Sequence, residues 1–122
     1  MILAALLALP AQVRAEDAWV GRDKALHFGV SAAVAASGYG LSAIWIERPG
    51  YRLLAGSSLA LAAGAGKEIW DAAGHGDPSL KDFTWDVVGT LTGAGFALGV
   101  DCLWRWLDPR HVVGDEPGRV RF

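Results

Sequence analysis

Three long apolar stretches, separated by two polar breaks, make up most of the chain. Residues 25–46 contain no Asp, Glu, Lys or Arg, and at about 1.5 Å rise per residue a helix of this length crosses a bilayer. The uncharged runs 53–66 and 87–100 are shorter, but with their amphiphilic ends, about 52–73 and 83–107, they also reach spanning length. No segment alternates polar and apolar residues for long, which argues against strands. The pattern predicts an all-α protein with three helices.

The ends of the chain differ from this helical region. The chain begins with a Leu/Ala-rich run followed by small residues, which predicts a secretory signal peptide over residues 1–15, with a short uncleaved anchor as the alternative. Turn-rich breaks at 47–50 and 74–78 separate the three helices. We therefore expect a three-helix domain over residues 16–108 and a loosely ordered tail over residues 109–122.

Tryptophans and small residues favour a membrane-embedded bundle over a water-soluble one. The six tryptophans lie near the ends of the predicted helices, as in the aromatic belts at membrane interfaces. Small residues recur at every fourth position, which lets helices approach closely where lipid supplies no hydrophobic driving force. These rows are Gly56, Ala60 and Gly64 on the second helix, and Gly89 with Gly93 and Gly95 with Gly99 on the third. We expect a small three-helix membrane-embedded bundle.

Charge sets the expected orientation and excludes some partners. A signal peptide leaves the start of the first helix outside the cytoplasm, so the loop at Pro49 and the C-terminus lie inside. Arginines concentrate on that side, in agreement with the positive-inside tendency. They are Arg48, Arg52, Arg105, Arg110, Arg119 and Arg121. With a net charge of −2 the chain lacks a basic footprint, so we expect no nucleic-acid partner. The single cysteine, Cys102, excludes an intramolecular disulfide.

Charged residues concentrate at the outer end of all three predicted helices. Several are four positions apart and therefore share a helix face, such as Asp23 with His27 and Asp82 with Asp86. Ionisable groups set into apolar helices are costly, and they usually face a bundle interior or a water-filled cavity. We therefore predict one polar cluster where the helix ends meet. Its members are Asp23, His27, Lys67, Glu68, Asp71, Ser79, Asp82 and Asp86.

Some of these residues also have purely structural interpretations. Ser79 and Asp82 form a capping-box-like pair at the start of the third helix, and Asp23 is a candidate cap for the first. Lys67 is placed to pair with Asp71 or Glu68 on its own helix. At the opposite end, Asp101 and Arg105 are expected to form a surface pair.

Three motifs follow one another along the chain: GRDKALHF at 21–28, GKEIWD at 66–71 and SLKDFTWDVVG at 79–89. Together they resemble the YfiM family of small bacterial envelope lipoproteins and, more distantly, VanZ-like membrane proteins. The resemblance covers about residues 21–99 and implies a helical protein of the bacterial cell envelope. With the orientation expected from the signal peptide and the arginines, the polar cluster faces the periplasm. The chain departs from these families in having no cysteine at the predicted cleavage site. It also has Asp71 and Asp86 where VanZ-like proteins tend to have Gln and Asn.

Three functions remain open for the cluster. It either knits the helices together, or binds a lipid headgroup, another envelope component or a protein partner in the membrane, or carries out catalysis. The catalytic alternative is a hydrolase or phosphoryl-transfer enzyme acting on an envelope lipid, with a divalent cation as its possible cofactor. Candidate metal ligands are His27, Glu68 and Asp86. Oxygen-rich ligation suits Mg²⁺ or Mn²⁺, and the added imidazole tolerates Zn²⁺. A closed, fully paired network favours the first function, whereas a cavity lined by His27 or Asp86 favours the others.

Overall fold

The computed structural model describes residues 18–108, and within this range the chain forms three helices and no strand. Helix α1 spans Arg22–Ser42, α2 spans Pro49–Trp70 and α3 spans Leu80–Leu107. A single π-helical turn, Asp71–His75, continues α2 before the loop to α3. The predicted all-α class is confirmed for this part of the chain. The predicted signal peptide and C-terminal tail lie outside the described residues.

Local sequence explains where the helices begin and end. Pro49, predicted as part of a break, instead opens α2, where its missing N–H is not needed and its fixed φ suits a helix. Gly74 has a φ of 108° inside the π-helical turn, a backbone conformation that L side chains rarely adopt. Ser79 caps α3, since its Oγ accepts the backbone N–H of Asp82 at 3.2 Å. The predicted cap is confirmed.

The helices run up, down and up, and α1 packs against both of the others through small residues. Gly56 on α2 faces the backbone of Ala35 and Tyr39, and Gly93 on α3 faces the backbone of Ala32. A Cβ at Gly93 would collide with the carbonyl oxygen of Ala32, so only glycine permits this approach. Gly89 lies equally close to the backbone of Phe28. These contacts match the predicted rows on α2 and at Gly89 with Gly93.

The second predicted row on α3 does not mediate packing. Gly95 and Gly99 are exposed, and nothing lies within 4 Å of a Cβ built at either position. That expectation was wrong. Gly95 comes two residues after Gly93 and is therefore rotated about 200° around the helix, so this row faces away from α1.

The interior of the bundle is polar and small, whereas its surface carries the large apolar side chains. The buried apolar residues are Ala35, Tyr39, Ala60 and Ala94. The buried polar residues are Lys24, Ser31, Ser42, Glu68, Asp71, Ser79, Asp82, Asp86 and Thr90. Large apolar side chains are exposed on every helix, as Val30 at 60%, Leu59 at 54% and Phe96 at 72% illustrate. An exposed apolar surface of this extent is typical of a protein that contacts another protein or lipid.

Helix α3 is long and apolar enough to cross a membrane, the one helix of residues 18–108 that meets this measure by length and composition. Helices α1 and α2 were expected to span as well, but neither meets this measure of length and hydropathy. Their many Ala, Gly and Ser residues suit close helix packing yet contribute little hydropathy. Five of the six tryptophans, Trp19, Trp45, Trp70, Trp104 and Trp106, are more than half exposed.

A hydrogen-bonded network, the arginine cluster (Tyr39, Arg52, Asp101 and Arg105), joins the helices at one end of the bundle. Asp101 Oδ2 accepts hydrogen bonds from Tyr39 Oη at 2.6 Å and Arg52 Nη1 at 2.9 Å, and Oδ1 accepts one from Arg105 Nε at 2.9 Å. The predicted pairing of Asp101 with Arg105 is confirmed. Its description as a simple surface pair was wrong, because Asp101 is mostly buried and links all three helices. Both of its oxygens have partners.

The glycine contacts generate a test. Replacing Gly93 with Ala should lower the free energy of unfolding by about 1–3 kcal/mol, because the new Cβ forces α1 and α3 apart. Gly95→Ala, two residues away on the exposed side, should instead raise stability by up to about 1 kcal/mol through helix propensity. Unfolding of both variants in a mild detergent measures the difference. Equal effects would contradict the packing described here.

Candidate functional site

The eight residues of the predicted polar cluster come together at the end of the bundle opposite the arginine cluster. There the starts of α1 and α3 meet the end of α2, as the up-down-up topology requires. Two further residues, Lys24 and Ser31, belong to the same assembly. We call the whole set the acidic cluster: Asp23, Lys24, His27, Ser31, Lys67, Glu68, Asp71, Ser79, Asp82 and Asp86.

One half of the acidic cluster lies between α1 and α3 and centres on His27. Its Nδ1 lies 3.0 Å from Asp86 Oδ1, and its Nε2 lies 3.4 Å from Asp82 Oδ2. Asp82 is also paired with Lys24, whose Nζ reaches Asp23 Oδ2 at 3.2 Å as well. The imidazole is thus held between two carboxylates of one face of α3, which fixes its orientation.

The other half joins α2 to the loop before α3. Glu68 Oε2 accepts the backbone N–H of Ser79 at 2.6 Å, and Lys67 Nζ donates to Asp71 Oδ2 at 2.6 Å. In an ordinary capping box the acid three residues after the cap would bind that N–H, but Asp82 turns to Lys24 instead. Glu68, on the neighbouring helix α2, therefore accepts the N–H that the acid of a capping box would otherwise accept. This contact ties the end of α2 to the start of α3.

Two carboxylate oxygens of the acidic cluster are buried without a hydrogen-bond partner. They are Glu68 Oε1 and Asp86 Oδ2, in residues that are only 1% and 3% exposed. A buried carboxylate oxygen that has lost its water and gained no donor is energetically costly. The contrast with Asp101, whose two oxygens are both hydrogen-bonded, distinguishes the ends of the bundle. The acidic cluster is not a closed, fully paired network.

A groove of about 320 Å³ runs between α1 and α2 and reaches the acidic cluster. Its apolar part is lined by Leu26, Val30 and Val34 from α1 and by Ala60 and Ala63 from α2. Its polar part is lined by Asp23, His27, Ser31, Lys67 and Asp86. Gly64 gives Asp86 the room it occupies, since a Cβ there would lie 2.7 Å from Oδ2. Both His27 and Asp86 therefore border a cavity, which is the arrangement expected of a ligand site.

Two members of the cluster were not among the predicted site residues. Ser31 donates a hydrogen bond from Oγ to Asp86 Oδ1 at 2.8 Å. Its position, four residues after His27 and eight after Asp23, was the signal that the sequence offered. Lys24 is 4% exposed, although a lysine so near a helix start would ordinarily reach solvent. Asp23 was one candidate cap for α1, but the N-cap position is Gly21, and Asp23 lies in the first turn with its side chain 65% exposed.

The geometry groups the acidic residues around His27 in two ways that suit a cation. Ligand atoms of His27, Glu68 and Asp86 all lie within 4.8 Å of one another, and the three residues are buried. Asp23, His27 and Asp82 form a second such group, of which Asp23 is exposed. The first group contains the predicted metal ligands, brought together from three different helices.

No family model, curated protein or solved structure matches this chain. The resemblance to YfiM and VanZ-like proteins therefore stays a prediction from the three motifs.

The bond from Ser31 to Asp86 generates a test. Ser31→Ala should lower the free energy of unfolding by about 1.5–3 kcal/mol, because it removes a donor to a buried carboxylate. Ser58→Ala, at an exposed position of α2, should raise stability slightly through helix propensity. Chemical unfolding of both variants in the same detergent provides the measurement. A neutral effect of Ser31→Ala would show that Asp86 does not depend on this bond.

Proposed function

We propose that this protein is a membrane-embedded helical bundle of the bacterial cell envelope, and that it binds a lipid in the groove between α1 and α2. The membrane part of the proposal rests on the distribution of side chains. Large apolar residues face outward on all three helices, and the interior holds small and polar residues. Lipid around the bundle would solvate this surface, whereas water would not.

The groove is the observation that carries lipid binding. Its volume of about 320 Å³ lies at the lower end of the range for ligand pockets, which is about 300–1,000 Å³. Aliphatic side chains such as Val30 and Val34 line one part, and ionisable residues line the other. An amphiphile with an acyl chain and a polar headgroup matches both parts at once. A water-soluble ligand would leave the apolar walls without a partner.

The charges at the polar end favour a zwitterionic headgroup. The side chain of Asp23 is 65% exposed and that of Lys67 is 49% exposed, and both line the groove. A carboxylate suits the ammonium of an ethanolamine phospholipid, and a lysine suits its phosphate. An anionic headgroup would gain the lysine but face the carboxylate. We therefore propose an ethanolamine phospholipid as the ligand class.

Orientation and family belong to the same proposal. The acidic cluster would face the periplasm, and the arginine cluster, with Arg48 close by in the loop before α2, would face the cytoplasm. The positive-inside tendency supports this assignment. The three motifs that resemble YfiM proteins contain most of the acidic cluster, which fits a role common to such envelope proteins.

A second candidate function is hydrolysis or phosphoryl transfer on the bound lipid. It is favoured by the position of His27, which lines the groove and whose Nδ1 lies 3.0 Å from Asp86 Oδ1. An imidazole oriented by a carboxylate is the usual arrangement of a general base. Turnover of an ethanolamine phospholipid by the wild type, lost in His27→Gln, would identify this activity.

Lipid binding can be tested by filling the groove without touching the charges. Ala63→Phe should weaken binding of a palmitoyl-oleoyl phosphatidylethanolamine at least about tenfold, because its ring occupies the acyl-chain part of the groove. Ala62→Phe adds the same ring to an exposed position outside the groove and should leave binding unchanged. Native mass spectrometry of the full chain with added lipid measures both.

Three outcomes are informative in that experiment. Loss in Ala63→Phe alone supports the groove. Equal binding by the two variants contradicts it. Tighter binding of phosphatidylglycerol than of phosphatidylethanolamine contradicts the zwitterionic headgroup.

Orientation can be tested with single cysteines in a Cys102→Ala background. Asp77→Cys and Glu47→Cys introduce thiols in exposed loops at opposite ends of the bundle. A membrane-impermeant maleimide added to intact cells should label Asp77→Cys, and it should label Glu47→Cys only after lysis. The reverse pattern would contradict the orientation. Labelling of both variants in intact cells would contradict a membrane barrier between the two ends.

A further inference from the structure

We propose that His27, Glu68 and Asp86 form a binding site for a divalent transition-metal cation, Zn²⁺ or Mn²⁺, where the three helices meet. Each residue comes from a different helix, and their ligand atoms lie within 4.8 Å of one another. His27 Nδ1 and Asp86 Oδ1 are 3.0 Å apart. Asp86 Oδ1 also accepts a hydrogen bond from Ser31, so the imidazole lies beside a carboxylate whose other oxygen, Oδ2, is left for an ion.

The unpartnered oxygens provide an independent reason for a cation. Glu68 Oε1 and Asp86 Oδ2 belong to two of the three proposed ligands, and neither receives a hydrogen bond. Within residues 18–108, Glu68 Oε1 has one ion pair, with Lys67 Nζ at 3.9 Å, a long contact to a half-exposed side chain. A metal ion would use the lone pairs that protein donors leave free. The other oxygen of each carboxylate keeps the hydrogen bond that orients it. Glu68 Oε2 accepts from the backbone N–H of Ser79, and Asp86 Oδ1 accepts from Ser31 Oγ.

The net charge of the acidic cluster also favours a bound cation. Four carboxylates of the acidic cluster are buried, and two lysines lie beside them, the buried Lys24 and the half-exposed Lys67. The four are Glu68, Asp71, Asp82 and Asp86. With His27 neutral, this buried part of the cluster carries excess negative charge, and burial makes that excess expensive. A dication reduces it without requiring protons on the carboxylates. Neutral His27 is also the protonation state that binds a metal.

The surroundings of His27 match those of a metal ligand. With Nδ1 facing the proposed ion, Nε2 faces Asp82 Oδ2 at 3.4 Å, and Asp82 is itself held by Lys24. A metal-binding histidine commonly donates its other N–H to a carboxylate in this way. One imidazole and two carboxylates suit Zn²⁺ or Mn²⁺ better than Mg²⁺, which prefers oxygen ligands alone. Three protein ligands leave positions for water or a headgroup oxygen entering from the groove.

The experiment uses the full chain, purified in a mild detergent without a histidine tag and stripped with EDTA. Titration with Zn²⁺ and Mn²⁺, followed by calorimetry and by elemental analysis after dialysis, should show one ion per chain. Glu68→Gln and Asp86→Asn should weaken affinity at least about tenfold. Asp77→Asn removes one charge from the exposed loop at the same end of the bundle, outside the acidic cluster, and it should bind within about twofold of the wild type.

A spectroscopic readout keeps the proposal testable if a variant fails to fold. X-ray absorption of the Zn²⁺-loaded wild type should show one imidazole and otherwise oxygen in the first coordination shell. No binding by the wild type, two or more imidazoles, or wild-type affinity in a folded Glu68→Gln would each overturn the assignment. Binding lost in Asp82→Asn but kept in Glu68→Gln would move the ion to the Asp23, His27 and Asp82 group. The titration contains no lipid, so its result is independent of the lipid-binding test.

Discussion

The energetic cost of removing carboxylates from water is the constraint on which this bundle depends. Three helices with small interfacial residues bury little apolar area, so their polar contacts decide how they fit together. At one end, Asp101 meets two arginines and a tyrosine, and every oxygen is satisfied. At the other end, donors for Glu68 and Asp86 are too few. The mostly buried carboxylate at one end of the bundle has a hydrogen bond to each oxygen, whereas two buried carboxylates at the other end each have one oxygen without a hydrogen bond.

Sequence spacing predicted the site better than it predicted the packing. Residues four apart on one helix share a face, so Asp23 with His27 and Asp82 with Asp86 predicted a convergence that requires only antiparallel topology. The same spacing predicted the pairing of Asp101 with Arg105, but its bonds to Arg52 and Tyr39 were not predictable, because they depend on how α2 and α1 are rotated about their axes. Nor did spacing alone distinguish Gly93 from Gly95, since both belong to rows with identical periodicity. The direction each row faces is set by tertiary contacts.

The glycines and the charges depend on each other. Gly89 and Gly93 bring the backbone of α3 against α1, and this close approach is what lets the short side chain of Asp86 reach both His27 and Ser31. Gly64 performs the same role on α2, where it leaves space for Asp86 Oδ2. Small residues are usually interpreted as a packing device in membrane helices. Here they also set the distances within the acidic cluster.

The bond between Glu68 and the backbone of Ser79 has a mechanical consequence. One carboxylate has an oxygen fixed on the first residue before α3 and another oxygen at the centre of the cluster. Because the carboxylate is rigid and planar, a shift of its unpartnered oxygen also moves the oxygen that is bonded to Ser79, in the loop between α2 and α3. The exchange rate of the Ser79 amide hydrogen therefore reports on the state of the Glu68 carboxylate, which lies eleven residues earlier in the sequence.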